Sequence, residues 1–241
     1  MKLSIQLYSL RGESEKDFPG VLEFVSKQGF SGVEFAGFYG LSAQEVKSLL
    51  DRLGLVCSGT HTPWNEVLEN PEETIAFSKV IGNQYVVIPG YEMHNRADVL
   101  ALAAKIRDVK PLYDAAGITI GYHNHEAEFV KDGGEYLLDI LAAETPGLIL
   151  ELDTYWSSVA GVNTPAYMRK YHDRMPLIHL KDGDGKQLAS IGEGNRDIAA
   201  VLDTAQDIGV EWVVYENDEP VPTGFADTER TRRVLTDQFG F

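Results

Sequence analysis

The chain of 241 residues has one cysteine, few basic residues and no long apolar run. Cys57 cannot form an intramolecular disulfide, and its apolar neighbours Leu55 and Val56 favour a small core side chain. The chain has 21 Lys and Arg against 37 Asp and Glu, a net charge of -16, which disfavours nucleic acid and anionic membranes as partners. No segment approaches the roughly 20 apolar residues of a membrane helix, and the N-terminal apolar segment is too short for a signal peptide. We therefore expect a cytoplasmic protein without nucleic-acid or membrane partners. A homo-oligomer is compatible with these features.

Strand-like apolar runs alternate with helical patterns along the whole chain. Strands are expected at 3–8, 32–35, 55–60, 84–88, 119–123, 148–153, 177–182 and 212–216. Helices are expected at 17–28, 43–53, 71–81, 98–116, 133–143, 164–171, 197–208 and 227–238. Glycines follow several helices, as short turns back to a strand require, at Gly29, Gly54, Gly117 and Gly209.

Eight strand–helix units in a chain of this length predict a parallel sheet closed into a (β/α)8 TIM barrel, which would form a single domain over residues 1–241. A doubly wound open sheet is the alternative. It has less support, because no G-x-G-x-x-G motif follows the first strand.

Polar residues gather where the fifth strand ends, within Thr119–Val130. This segment begins with apolar residues and continues into His123, His125 and Glu128. Buried imidazoles and carboxylates need a partner or a metal, so such a cluster belongs at the end of a strand rather than inside it. A polar surface loop is the other interpretation of this segment alone.

Three later strands end in the same way, at Asp153, His179 and Glu216. In a (β/α)8 barrel the C-terminal strand ends converge on one face, where sites are built. Glu128, Asp153, His179 and Glu216 together give one imidazole and three carboxylates. That set suits a divalent metal such as Mn²⁺, Mg²⁺, Co²⁺ or Zn²⁺ with positions left for substrate oxygens.

The chain resembles the sugar phosphate isomerase/epimerase branch of the xylose isomerase-like barrel superfamily over essentially its whole length. The motifs that carry the resemblance are Ile5-Gln6-Leu7-Tyr8-Ser9-Leu10, Gly32-Val33-Glu34-Phe35, Gly121-Tyr122-His123-Asn124-His125 with Glu128-Phe129, Leu150-Glu151-Leu152-Asp153-Thr154, His179-Leu180-Lys181-Asp182, Gly192-Glu193-Gly194 and Tyr215-Glu216. The resemblance implies a carbohydrate substrate and metal ligands at Asp153, His179 and Glu216.

The chain departs from the family pattern at two positions. Many members have a glutamate where this chain has His123, so we expect Glu128, a few residues later, to be the fourth ligand. Trp156 stands three residues after Asp153, where the usual pattern has a histidine. A bulky apolar wall there could change the substrate class.

Further polar and aromatic residues near the expected strand ends are candidates for substrate contact. Each could instead be an ordinary core or surface side chain. The candidates are His61, Tyr8, Glu34, Lys181, Trp156 and Arg196.

The function that we expect is a metal-dependent sugar isomerase or epimerase, which moves a proton next to a keto-sugar carbonyl through an enediolate. Glu216, Glu128, His123 and His125 are the candidate acid–base residues. The main alternative is a dehydratase or lyase acting on a keto-sugar or keto-cyclitol, similar to inosose dehydratase or to enzymes that cleave 3-keto-glycosides. An endonuclease is disfavoured by six histidines and by the acidic charge. The last alternative is a non-catalytic sugar-binding barrel. Its affinity for sugar would be unchanged by a chelator, and it would show no turnover.

Overall fold

Eight parallel strands form a closed barrel at the centre of the structure, a computed structural model that describes residues 1–241. The strands are β1 (Lys2–Gln6), β2 (Gly32–Phe35), β3 (Val56–His61), β4 (Tyr85–Ile88), β5 (Thr119–His123), β6 (Ile149–Asp153), β7 (Leu177–Leu180) and β8 (Trp212–Tyr215). Each strand pairs with the next, and β1 pairs with β8 to close the barrel. The predicted (β/α)8 barrel is confirmed.

Ten helices surround the strands. They are α1 (Arg11–Lys27), α2 (Ala43–Leu53), α3 (Trp64–Glu69), α4 (Pro71–Ile81), α5 (Arg96–Ala116), α6 (Leu137–Glu144), α7 (Thr154–Val159), α8 (Thr164–Lys170), α9 (Ile198–Ile208) and α10 (Gly224–Phe239). The short helices α3 and α7 were not predicted. Tyr8, expected in the first strand, lies in a 3₁₀ turn instead.

Local sequence signals explain where the helices begin and end. Ser42 and Glu45 form a capping box at the start of α2. Gly54, Gly117 and Gly209 end α2, α5 and α9 in the left-handed conformation, with φ of 67°, 73° and 78°. Because glycine has no Cβ, it adopts this conformation without steric cost. The short turns that these residues allow return the chain to the start of the next strand.

The barrel interior is apolar at one end and polar at the other. Ile149, Leu177 and Trp212, at the beginnings of three strands, pack together with Val214. The C-terminal half of the interior instead buries charged side chains, which include Glu34. The polar half therefore faces the end of the barrel where the βα loops gather. None of the helices combines the length and apolarity needed to cross a bilayer.

Candidate active site

Four side chains converge at the C-terminal ends of β5 to β8. His123 and Asp153 are the last residues of β5 and β6, His179 lies in β7, and Glu216 follows β8. Each can offer one ligand atom, and these four atoms lie within 4.8 Å of one another. We call these residues the upper cluster. They are all buried.

Glu128 does not belong to the upper cluster, contrary to the sequence-based expectation. It lies in a 3₁₀ turn over Ala127–Phe129. There its Oε1 accepts a hydrogen bond from Tyr122 Oη at 2.8 Å, and its Oε2 accepts one from the His125 backbone N–H at 2.8 Å. Both carboxylate oxygens thus hold the β5 loop in place. His123 occupies the place expected for Glu128.

Three of the four side chains of the upper cluster have the ionisation state that a divalent cation needs. The exception is His179: burial opposes its charge, but the carboxylates of Glu151, Glu216 and Glu34 raise its pKa well above the usual value, so its imidazole must lose a proton when a metal binds. Burial, with the nearby His179, lowers the pKa of His123 to about 3, so its imidazole is neutral at pH 7. Burial alone would raise the pKa of Asp153, but Lys181 and His123 lower it to about 2. His123 Nδ1 lies 3.4 Å from the Pro89 carbonyl oxygen, and a hydrogen bond there leaves Nε2 as the ligand atom. A neutral imidazole and ionised carboxylates form a donor set that fits Mn²⁺, Co²⁺ or Zn²⁺ and, less closely, Mg²⁺.

Lys181 adds a buried positive charge beside the upper cluster. Its Nζ lies 3.1 Å from Asp153 Oδ2, 2.6 Å from Glu216 Oε2 and 2.8 Å from Asp218 Oδ2. Burial opposes its charge, but these carboxylates, Asp153 first, raise the pKa of Lys181 well above its usual value. The ammonium therefore neutralises part of the acidic cluster in the protein without a metal.

A second polar layer lies beneath His179, inside the barrel. Glu34 Oε2 accepts hydrogen bonds from His179 Nε2 at 2.6 Å and from Gln6 Nε2 at 2.7 Å. His61 Nε2 lies 2.6 Å from Glu151 Oε2. Burial, followed by the charge of Glu151, raises the pKa of Glu34 to about 7. Because Glu34 engages Nε2 of His179, Nδ1 is the nitrogen that faces the upper cluster.

A cavity of about 960 Å³ opens above the upper cluster. Among its lining residues are Tyr8, His61, His123, His125, Trp156 and Glu216. These six sequence candidates therefore share one cavity. Glu34 and Lys181 are buried and do not line the cavity.

Arg196 is not on this cavity, contrary to the expectation of a substrate clamp. Its guanidinium donates hydrogen bonds to Ser158 Oγ at 2.9 Å and to the Gly183 carbonyl oxygen at 3.2 Å. Arg196 thus ties the β7 loop to α7.

Sequence reasoning missed several residues of the site. Glu151 lies two residues before Asp153 in β6, and strand alternation places such neighbours on the same face. That spacing was the available signal. Asp218 lies in the loop after β8, where alternation does not apply. For Arg11, which lines the cavity from the start of α1, the sequence offered no comparable signal.

Residues 22–236 match the model of the xylose isomerase-like TIM barrel family. No curated protein sequence matches the chain significantly.

Solved structures of the same fold cover nearly the whole chain. A sugar phosphate isomerase/epimerase from Parabacteroides distasonis is 25% identical, with a TM-score of 0.81 over 98% of this chain and 94% of that one. A second such protein from the same organism is 21% identical, with a TM-score of 0.88 over 98% of both chains. A probable 3-DHS dehydratase from Bacillus anthracis is 14% identical, with a TM-score of 0.77 over 99% of this chain and all (100%) of that one.

Proposed function

Because the chain belongs to the xylose isomerase-like TIM barrel family, we propose that it is a divalent-metal-dependent isomerase or epimerase of a keto-sugar. The observation that carries the proposal is the upper cluster, whose four ligand atoms lie within 4.8 Å of one another beneath a cavity of about 960 Å³. Imidazole and carboxylate ligands suit divalent cations, and such a cation would polarise a carbonyl oxygen of the substrate.

His123, Asp153, His179 and Glu216 would hold the metal. A bound divalent cation would supply positive charge that stabilises the negative charge developing on the sugar oxygens when a neighbouring C–H proton is removed. Glu34 keeps His179 oriented through its Nε2. Lys181 keeps Asp153 and Glu216 ionised.

The groups that carry the proton should face the cavity. Glu216 and His125 both line it, and the His125 imidazole is exposed. Glu128 is a poor candidate base, since Tyr122 and the His125 N–H occupy both of its oxygens. We therefore assign proton removal to Glu216 and proton return to His125, with His123 as a ligand.

A dehydratase or lyase is the second candidate. The position of His125 favours it, because an exposed imidazole beside Trp156, with ring centroids 6.1 Å apart, could protonate a leaving group. Both reactions begin with the same proton removal, so a test of that step is valid for either.

The proposal predicts exchange of a carbon-bound hydrogen with solvent. Keto-sugars incubated with the metal-loaded protein in D₂O should lose a C–H signal in the NMR spectrum, and a chelator should stop the loss. Glu216→Gln should slow exchange by more than the roughly 10²–10⁴-fold typical of a lost general base, because the metal site also changes.

Asp237→Asn is the control. Asp237 is exposed near the C-terminal end of α10, and its removal should leave exchange unchanged. Turnover of a substrate with no deuterium in any product, or exchange that survives the chelator, would refute the proposal.

A further inference from the structure

The lining of the cavity bears on the class of sugar that it accepts. Acidic side chains outnumber basic ones there: the carboxylates are Glu66, Glu216, Asp218 and Glu219, and the single guanidinium is Arg11. Glu66 and Glu219 are exposed and form no ion pair in the structure. A phosphate group would therefore meet mostly like charge at the cavity.

Two positive side chains lie near the cavity, and only one of them, Arg11, lines it. Arg11 donates to the Tyr8 carbonyl oxygen at 3.0 Å and to the Asp218 carbonyl oxygen at 2.7 Å, and its guanidinium lies 4.3 Å from the Tyr8 ring centroid. Lys181 is 1% exposed and contacts three carboxylates. Arg11 thus joins the ends of β1 and β8 and keeps its positive charge, since its partners are neutral carbonyl oxygens. Lys181, by contrast, is too buried and too fully paired to clamp an anion.

The helix after β8 does not offer a phosphate site either. Barrel enzymes often bind phosphate with the loops after the last two strands and a helix N-terminus. Here the Gly224 N–H at the start of α10 donates to Glu13 Oε1 at 2.9 Å, and the Ala226 N–H donates to Thr223 Oγ1 at 3.2 Å. These backbone donors are therefore occupied within the chain.

With a divalent cation bound, Asp153 and Glu216 would offset its charge, and Asp218 offsets that of Lys181. The imbalance that remains is that of Glu66 and Glu219 against Arg11, which is still acidic. The remaining walls include apolar and aromatic surfaces, among them Phe38, Pro89 and Trp156. The volume of about 960 Å³ lies near the top of the range of roughly 300–1,000 Å³ for small-molecule sites. A single sugar ring would leave much of this space unfilled.

We infer that the substrate is an uncharged, unphosphorylated keto-sugar that carries a further apolar-faced group, such as an aryl group or a further sugar ring. This inference rests on the proposed function, since it concerns the same cavity. The acidic lining excludes phosphate by repulsion, and the aromatic walls stack on the attached group.

Binding measurements test the inference without catalysis. The metal-loaded protein is titrated calorimetrically with phenyl β-glucoside, phenyl β-galactoside and phenyl β-mannoside, with the 6-phosphate of each, and with the three free sugars. At least one phenyl glycoside should bind about tenfold more tightly than its 6-phosphate and than the free sugar. The difference in affinity between the phenyl glycoside and its 6-phosphate should decrease when the salt concentration rises from about 50 mM to about 300 mM, because salt screens exposed charges.

Equal or tighter binding of the 6-phosphate, equal binding of the free sugar, or no binding by any member of the panel would overturn the inference. Deuterium exchange, measured separately, distinguishes this failure from failure of the proposed function. Exchange on sugar phosphates would sink the inference alone. A binding preference for phenyl glycosides without exchange on any keto-sugar would sink the proposed function alone.

Charge-reversal variants test the cause of the preference. Glu66→Lys and Glu219→Lys should reduce the penalty for the 6-phosphate by about threefold or more, since each removes a repulsive charge at the cavity. Asp237→Lys makes the same charge change near the far end of α10 and should leave the ratio unchanged. An equal effect of Asp237→Lys would show that net charge, not the lining, sets the preference, and it would overturn the inference.

Discussion

At the scale of single residues, Lys181 changes the chemistry expected of the site most. Its ammonium contacts Asp153 and Glu216, which are also two of the proposed metal ligands. Together with His179, it holds the pKa of Glu216 well below its usual range despite burial. Both carboxylates are therefore ionised before a metal arrives, but a metal ion on Asp153 Oδ2 and Glu216 Oε2 must displace the Lys181 ammonium from these oxygens.

His123 and Glu128 make the choice of ligand testable. His123→Ala should lower Mn²⁺ affinity by more than the roughly 10–100-fold loss typical of residues that only support a ligand. Its Nε2 lies 3.3 Å from Asp153 Oδ2 within the upper cluster. Isothermal titration calorimetry with Mn²⁺ measures the effect.

Glu128→Gln is the matched variant. It keeps an oxygen for the Tyr122 hydroxyl and should lower Mn²⁺ affinity at least about tenfold less than His123→Ala does. The opposite order of affinities would return Glu128 to the ligand set.

At the scale of elements, the loops after the strands fix the site residues. The first backbone amides of α7, from Tyr155 and Trp156, each donate to Asp153 Oδ1 at 2.9 Å. This helix cap leaves Oδ2 of Asp153 to face the upper cluster. The short helix α7 thus orients a proposed ligand.

The loop after β7 is held by one carboxylate. Asp182 accepts hydrogen bonds from the backbone N–H groups of Gly183, Gly192, Gly194 and Arg196, at 2.7 to 3.1 Å. A Cβ at Gly194 would lie 2.1 Å from Asp182 Oδ1, so only glycine allows this approach. The Gly192-Glu193-Gly194 motif therefore serves the loop geometry.

Asp182→Ala should free this loop. Bonds to a charged acceptor contribute about 1.5–3 kcal/mol each, and with relaxation of the loop we expect a total loss of about 2–4 kcal/mol of stability. Hydrogen–deuterium exchange should rise across residues 192–196. Asp184→Ala, which alters only the exposed turn bonded to Lys186 and Gln187, is the control. Unchanged exchange in Asp182→Ala would contradict this role.

At the scale of the whole molecule, the proposed metal should stabilise the fold. A ligand at about 100 times its Kd adds about 2.7 kcal/mol, which raises Tm by about 5–10 °C for a chain of this size. Differential scanning calorimetry with and without Mn²⁺ measures the shift.

Asp153→Ala and His179→Ala should fold but show no Mn²⁺-dependent shift in Tm. Each removes a proposed ligand, while the apolar core between barrel and helices is untouched. A full shift in either variant would refute the assignment of that residue. The one-domain organisation and the cytoplasmic location stay predictions.

The sequence by itself determined the barrel and the end of it that carries the site. Alternating patterns and terminal glycines are local signals, so they predicted every barrel strand, with C-terminal ends within two residues of those in the structure. The predicted strand ends in turn brought Asp153, His179 and Glu216 together on one face, because side chains at strand ends have little freedom of position.

Only the tertiary structure decided which other residues join them. Glu128 lies on a loop whose path depends on Tyr122, a contact that no sequence pattern specifies. Arg196 likewise turns toward Ser158, and Lys181 finds its partners on β6 and after β8. Such pairings join residues distant in the chain, and they depend on packing and on electrostatic balance that form only when the barrel closes.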